Sequence, residues 1–180
     1  IPLSSKDREH ISTLIYGVTI FHACATVKEL LHMQQPIEAL IQKAQAILIA
    51  LYHKKLHFIP GFISFYESVI EKDLKTALVT NSDRAILDAV SKILNLGRYF
   101  GKNIFSVSNV AGGKPDPMLY RYALEKIDVS AEYALALEDS AVCIEAARKA
   151  GIVCIGILNG HNDAQIIHAD YIAQNFEEVR

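Results

Sequence analysis

The sequence predicts an α/β fold: a parallel sheet with helices on both faces, preceded by a small block made of helices alone. Three observations lead there. From Lys75 onward, apolar runs of strand length alternate with helical stretches; residues 3 to about 57 carry helical spacing only; and Leu135-Ala136-Leu137-Glu138-Asp139-Ser140 reads as a buried strand that delivers two adjacent carboxylates and a hydroxyl to a sheet edge. In an open α/β sheet, ligands gather outside the carboxyl ends of the strands.

Ser4 or Ser5 can cap a first helix, with Asp7 and Glu9 in its opening turn and Gly17 as its stop. A second helix is expected over Ile20 to Met33, and Pro36 suits the start of a third. In that third segment Ile37, Leu40, Ile41, Ala44, Ile47, Leu48 and Leu51 recur at three-and-four spacing, while Glu38, Gln42, Lys43 and Gln45 hold other faces. Such a stripe packs on neighbouring helices. Phe58-Ile59-Pro60-Gly61 is a turn, which divides a helical domain, 1–58, from an α/β domain, 59–180. A short helix follows over Phe62 to Glu71, then a buried strand over Lys75 to Thr80 and a helix opened by Asn81-Ser82-Asp83 that runs to Leu94 and closes at Asn95-Leu96-Gly97. Strands are expected at 104–108, 133–139, 153–158 and 171–173, and helices at 117–127, 140–150 and 176–179.

A hydrophobic content of 51% supplies a real core, and a net charge of -2 without clustered Lys and Arg gives no footprint for nucleic acid or an anionic membrane. No run approaches the roughly eighteen apolar residues of a spanning helix, and no signal peptide is evident. A small-molecule partner is favoured. Cys24, Cys143 and Cys154 are odd in number and widely spaced, which fits free thiols in a reducing compartment.

Three strand ends carry candidate chemistry. Thr80 closes its strand with a hydroxyl, and the backbone amides of Asn81 and Ser82 open the next helix, where an anion such as phosphate is favoured, although Ser82 or Asp83 also serves as an ordinary cap. In Ala111-Gly112-Gly113-Lys114-Pro115-Asp116-Pro117 the glycines let backbone approach a ligand and the prolines stiffen the turn that aims Lys114, a residue type more often left in solvent. Glu138 and Asp139 repel one another unless a cation relieves them, and hard oxygen donors with room for water suit Mg²⁺; the alternative is that Asp139 or Ser140 simply caps the next helix. His53 and His57 have one-turn spacing but lack a third ligand. His161, in a loop after a strand end, is placed to border the pocket or to sit on the surface.

Leu78-Val79-Thr80-Asn81-Ser82, Gly113-Lys114-Pro115-Asp116-Pro117 and Leu137-Glu138-Asp139-Ser140 with Ala146-Ala147-Arg148-Lys149-Ala150-Gly151 resemble, in order, the second, third and fourth motifs of the haloacid dehalogenase-like hydrolases. The whole chain resembles the branch with a small helical cap, the phosphoglycolate phosphatase and β-phosphoglucomutase type, and Tyr16-Gly17-Val18-Thr19 resembles the substrate-facing stretch of that cap. The resemblance implies a Rossmann-like core in which Thr80 and the Asn81 amide hold the transferring phosphoryl group, Lys114 bridges phosphate and nucleophile, and Glu138 and Asp139 secure Mg²⁺. It also implies covalent catalysis through an aspartyl-phosphate, with a second aspartate two residues on as acid and base. The acidic pair favours phosphoryl chemistry over carbon-halogen hydrolysis, which in this family does not use it.

The family's first motif, an apolar strand ending in Asp-x-Asp-Gly-Thr, has no counterpart in Ile1 to Ser12, and Asp7 follows no apolar strand. In the family that strand lies mid-sheet, between those ending here at Thr80 and Asp139, so its absence predicts a slot flanked by unpaired backbone. The expectation is therefore an upstream segment, or a fragment whose slot is otherwise filled, and no turnover by these 180 residues themselves. Cys143 stands where relatives usually have glycine. The leading expectation is a cytoplasmic, monomeric or homodimeric Mg²⁺-dependent phosphatase for a small phosphorylated metabolite, its specificity read by cap residues such as Tyr16, Thr19, Phe21 and His22. The alternatives are a sugar-phosphate mutase, or a non-catalytic member that binds a phosphorylated ligand or a partner protein. An acidic metal pair, which a pure binding module does not need, favours the enzyme.

Overall fold

A computed structural model of the chain describes residues 3–160 and 162–179, so His161 lies outside the described residues. The first helix, α1 (Ser5–Ile15), opens with a reciprocal cap in which the Ser4 hydroxyl accepts from the Asp7 amide at 3.1 Å and the Asp7 carboxylate accepts from the Ser4 amide at 3.2 Å. It ends before the expected stop, because Tyr16 turns extended and Gly17 takes φ +76° to lead the chain against the α/β part. Thr19 caps α2 (Ile20–Leu30), which is shorter than the expected run to Met33. Lys28 explains the early stop, since its ammonium donates to the carbonyls of Met33 and Gln35, each at 2.7 Å, and gathers the turn.

Next, α3 (Ile37–Lys55) packs on α2 and on α5 (Arg84–Leu94) of the α/β part. Its apolar stripe is only half-buried, and Ile47 and Leu51 are exposed. Gln45, expected on another face, instead points inward, where its side-chain amide donates to Asp83 at 2.7 Å, so the N-cap residue of α5 sets the rotation of α3.

The remainder alternates as expected, in the order α4 (Phe62–Glu71), β1 (Leu78–Thr80), α5, α6 (Leu96–Phe100), β2 (Ile104–Ser106), α7 (Met118–Ile127), β3 (Leu135–Glu138), α8 (Ala141–Lys149), β4 (Val153–Ile157), α9 (Asp163–Ile166) and β5 (Tyr171–Ala173). The run expected as a last helix is a single 3-10 turn, Phe176–Glu178. Two helices were not foreseen. Asn95, at φ +51°, ends α5 and starts α6, burying Leu96; α9 buries Ile166 against the sheet. The strand expected from Lys75 begins only at Leu78, because Lys75 donates to the carbonyls of Ile127 and Asp128 at 2.8 and 3.0 Å and Asn103 takes the Thr76 carbonyl.

Every strand pair is parallel, but the strands form two sheets rather than one: β1 pairs with β2, Leu78 opposite Ile104 and Thr80 opposite Ser106, while β4 lies between β3 and β5, with Ala136 opposite Cys154 and Ile155 opposite Tyr171. Val79 packs against both core clusters, one built on Ile144, Ala146, Ala147, Cys154 and Ile166, the other on Phe105, Leu119 and Ala123. It marks the seam between the sheets. Beside β1 lies an apolar cavity of about 290 Å³ bordered by Phe58, Phe62, Leu78, Leu87 and Phe176, with Thr80 on its wall. Among the described residues no helix is long and apolar enough to cross a membrane, and all three cysteines are buried and free.

Candidate active site

The site forms where β1 and β3 end. Lys114 is 4% exposed. It is carried there by the turn before α7, in which a cis peptide bond joins it to Pro115 and the Asp116 amide donates to the Gly113 carbonyl at 3.0 Å. Its ammonium donates to three oxygens: the Val79 carbonyl of β1 at 3.0 Å, the Tyr120 hydroxyl of α7 at 3.2 Å, and Glu138 Oε1 of β3 at 2.6 Å. It therefore spans the break between the sheets. The Tyr120 hydroxyl donates to the same Glu138 oxygen, and the ammonium lies 4.7 Å from the Tyr120 ring centroid. Burial by itself would lower the Lys114 pKa, but the Glu138 carboxylate reverses this and holds it above the usual lysine value. Burial first, and the Glu138 charge second, push the Tyr120 phenol well above its ordinary value. At neutral pH the lysine is therefore an ammonium and the tyrosine a neutral phenol.

Asp139 faces other partners. The Tyr16 hydroxyl donates to its Oδ2 at 2.8 Å, and Asn159 Nδ2 lies 2.8 Å from the Tyr16 hydroxyl and 3.4 Å from the same carboxylate oxygen. Asn162, 1% exposed, fixes the backbone below by donating to the carbonyls of Asp139 and Ile157, each at 2.9 Å. Burial raises the Asp139 pKa, with the Tyr16 hydrogen bond working against the rise and the Glu138 charge adding to it. Tyr16 is itself pushed up to about 12, by burial and then by Asp139. Among the described residues the fully buried Ser140 hydroxyl has no nitrogen or oxygen hydrogen-bond partner. Two adjacent carboxylates and an orphaned hydroxyl are all hard oxygen donors, a set that fits Mg²⁺. Among the described residues no group of three or more His, Cys, Asp or Glu converges, and His57 turns instead toward the Lys55 carbonyl at 2.8 Å.

The Thr80 end differs in detail from expectation. The Thr80 hydroxyl accepts from the Ser82 amide at 3.1 Å, so that amide is occupied, and Asp83 caps α5 by accepting from the Ile86 amide at 3.0 Å. The ordinary cap and the strand-end hydroxyl thus coexist. The Asn81 side chain is committed to the protein, donating to the carbonyls of Gly17 at 2.8 Å and Lys114 at 3.1 Å and accepting from the Lys114 amide at 2.8 Å. Cys143, in the first turn of α8, faces the same Gly17 carbonyl at 4.0 Å, its thiol raised to about 12 chiefly by burial.

A family model described as haloacid dehalogenase-like hydrolase matches residues 3–157. The chain belongs to that family. Among curated relatives of this family member, a phosphorylated carbohydrates phosphatase of Thermotoga maritima is 30% identical over 161 residues, covering 88% of this chain and 74% of that protein. A phosphoglycolate phosphatase of Pseudomonas syringae pv. tomato is 25% identical over 146 residues, covering 79% of this chain; the chain spans 53% of that relative's length. The crystal structure of a putative β-phosphoglucomutase from Thermotoga maritima superposes with a TM-score of 0.75 at 26% identity, covering 99% of this chain and 82% of that one.

Within this haloacid dehalogenase-like chain the structure gathers Lys114 and Glu138 directly and places Asn81 and Asp139 around them. Sequence reasoning missed Tyr120, Asn159 and Asn162. Tyr120 reads as an apolar face residue of α7; Asn159 and Asn162 stand on either side of His161 after a strand end, and that position is the one signal they carry. Tyr120→Phe keeps the ring and removes the hydroxyl bonded to Glu138 and Lys114, so urea unfolding should show a loss of about 1.5–3 kcal/mol, the range for hydrogen bonds to charged groups.

Proposed function

We propose that the protein carrying this chain is a magnesium-dependent phosphatase acting on a small phosphorylated metabolite. The observation that carries this reading is one buried ammonium that meets a carboxylate across the break between two parallel sheets, with a second, half-buried carboxylate next in sequence and a bond to the Val79 carbonyl, one residue before the Thr80 hydroxyl. A binding pocket for a phosphate needs the cation and the hydroxyl; it has no use for adjacent acids.

In this reading Asp139 and Glu138 hold Mg²⁺, which supplies charge neutralisation for the phosphoryl oxygens. Glu138 Oε1 accepts from Lys114 and Tyr120, so the lysine charge stands beside the carboxylate that would help hold the ion. Lys114 stays protonated and contributes positive charge rather than a base. Thr80 accepts from the Ser82 amide and so keeps its own proton to donate to a phosphoryl oxygen. Residues 1–58 act as a cap over a core of residues 59–180, and segment 16–19 covers the site: a Cβ on Gly17 would stand 2.3 Å from the Ser140 hydroxyl, so only glycine fits. Such a cover excludes water while the phosphoryl group is transferred. Tyr16, Thr19, Phe21 and His22 then face the rest of the substrate, and the names of the relatives favour a phosphorylated sugar or phosphoglycolate. Transfer to a sugar hydroxyl in place of water would make the same site a mutase, as the name of one structural neighbour allows. Three free buried thiols favour a reducing, cytoplasmic setting.

The nucleophile is proposed to come from a strand between β1 and β3. Among the described residues each has one edge without a strand partner, and the apolar cavity beside β1 offers room for side chains of such a strand. Fusing to Ile1 an apolar strand that ends in Asp-x-Asp should raise the melting temperature and confer Mg²⁺-dependent phosphate release across a panel of sugar phosphates and phosphoglycolate. Changing its first aspartate to asparagine should keep the stability gain and abolish release. A fusion with the stability gain and no release from any panel member would overturn the phosphatase reading.

A further inference from the structure

Asn81 is 7% exposed, and its side-chain amide makes three hydrogen bonds to backbone on two separate elements. Its Oδ1 accepts from the Lys114 amide at 2.8 Å while Nδ2 donates to the Lys114 carbonyl at 3.1 Å, so both backbone groups of one residue are held by one planar amide. Two bonds on either side of Lys114 fix the orientation of its backbone, and with it the line along which its side chain leaves for Val79, Tyr120 and Glu138. The remaining Nδ2 proton goes to the Gly17 carbonyl at 2.8 Å, in the segment that lies over the site.

Little slack surrounds this junction. A Cβ on Gly113 would stand 2.8 Å from Thr19 Cγ2 and 3.0 Å from Asn81 Oδ1, so the turn that carries Lys114 touches segment 16–19 and Asn81 together. Thr19 is buried in that contact. When segment 16–19 lifts, the Asn81 amide loses the Gly17 acceptor, one of the three bonds that fix its plane, and its hold on the two backbone groups of Lys114 loosens.

We infer that Asn81 is a positioning residue that couples closure of segment 16–19 to the aim of Lys114. The active-site role of Lys114 rests on the reading above; the coupling itself does not. It differs from the expected part of Asn81 as an anion-binding amide, because the side chain does the work. The lysine is held in line for phosphate when the cover is down and is freed when it rises, which ties charge placement to exclusion of water.

The coupling is open to a double-mutant cycle on the chain itself. The reporter is hydrogen exchange of the Asp116 amide, which donates to the Gly113 carbonyl and makes no bond to Asn81. Gly17→Ala forces segment 16–19 off Ser140 and should speed Asp116 exchange by about tenfold, the loss of one net hydrogen bond. In the Asn81→Ala background the same change should add nothing. Tyr16→Phe, which releases the segment from Asp139 without crowding, should act in the same direction by a smaller factor and serves if Gly17→Ala does not fold. Equal acceleration with and without Asn81, or no acceleration in the otherwise native chain, would overturn the coupling. Failure of the phosphatase reading would show elsewhere, as absent Mg²⁺-dependent phosphate release, with the exchange cycle unchanged.

Discussion

Lys114→Met should cost the fold about 3–5 kcal/mol, because it strands the Glu138 carboxylate and the Tyr120 hydroxyl away from the charge that satisfies them. The ion pair is almost fully enclosed, with side chains 2% and 13% exposed, so solvent offers little rescue. Against a typical stability of about 5–15 kcal/mol the loss is severe, and a domain of this size should melt roughly 6–20 °C lower. Removing both charges, in Lys114→Met with Glu138→Leu, should restore much of the difference, since an apolar pair of similar volume often matches a buried ion pair. The sign of the pH dependence follows from the raised lysine pKa: the stabilisation is fully present below the unfolded-state value and is lost as pH rises through the folded one. Thermal melts of wild type and Lys114→Met should therefore converge only in strongly alkaline buffer. Equal melting temperatures at neutral pH would mean that the ammonium does not bridge the two sheets.

Asp139→Asn should move stability and chemistry in opposite directions. Burial raises the Asp139 pKa, so the folded chain prefers the protonated acid, and wild-type stability declines as pH climbs from the ordinary value of 3.8 through the raised one. Above that window the carboxylate carries the full penalty of its burial. Asparagine keeps an oxygen for the Tyr16 hydroxyl and carries no charge, so the variant should melt above wild type at neutral pH and lose the advantage below pH 3.8. In the active protein the same change should lower Mg²⁺-dependent turnover by about 10²–10³-fold, as expected when a group aimed at transition-state charge is lost. Parallel loss of activity and stability would assign Asp139 to the scaffold.

What the sequence disclosed follows what is local in its physics. The 135–138 run, the Asp83 cap of α5 and the Pro117 start of α7 declare themselves through a handful of neighbouring residues. Strand-end position likewise singles out Thr80, Glu138 and Asp139 as candidate chemical positions. The shortened β1 and the rotated α3 are hidden because they depend on distant polar contacts: Lys75 reaching the end of α7 and Asn103 reaching Thr76 for the one, Gln45 reaching Asp83 for the other. Tyr120, Asn159 and Asn162 were hidden for the same reason. A tyrosine on an apolar helix face and asparagines in a loop acquire meaning only when the fold sets a lysine or an aspartate opposite them. The aromatic cluster of Phe58, Phe62, Tyr66, Tyr99 and Phe100 likewise joins residues far apart in sequence, and it takes in the end of the α6 turn, whose start the pattern reads as a helix stop.

The measurement that bears most directly on the central claim is calorimetric binding of inorganic phosphate to the full-length protein with and without Mg²⁺. Phosphate and metal held by Lys114, Thr80, Glu138 and Asp139 in one site must strengthen each other's binding by the same factor. The account predicts several-fold tighter phosphate binding in Mg²⁺, and loss of that gain in Asp139→Asn. Phosphate affinity indifferent to Mg²⁺ would contradict it.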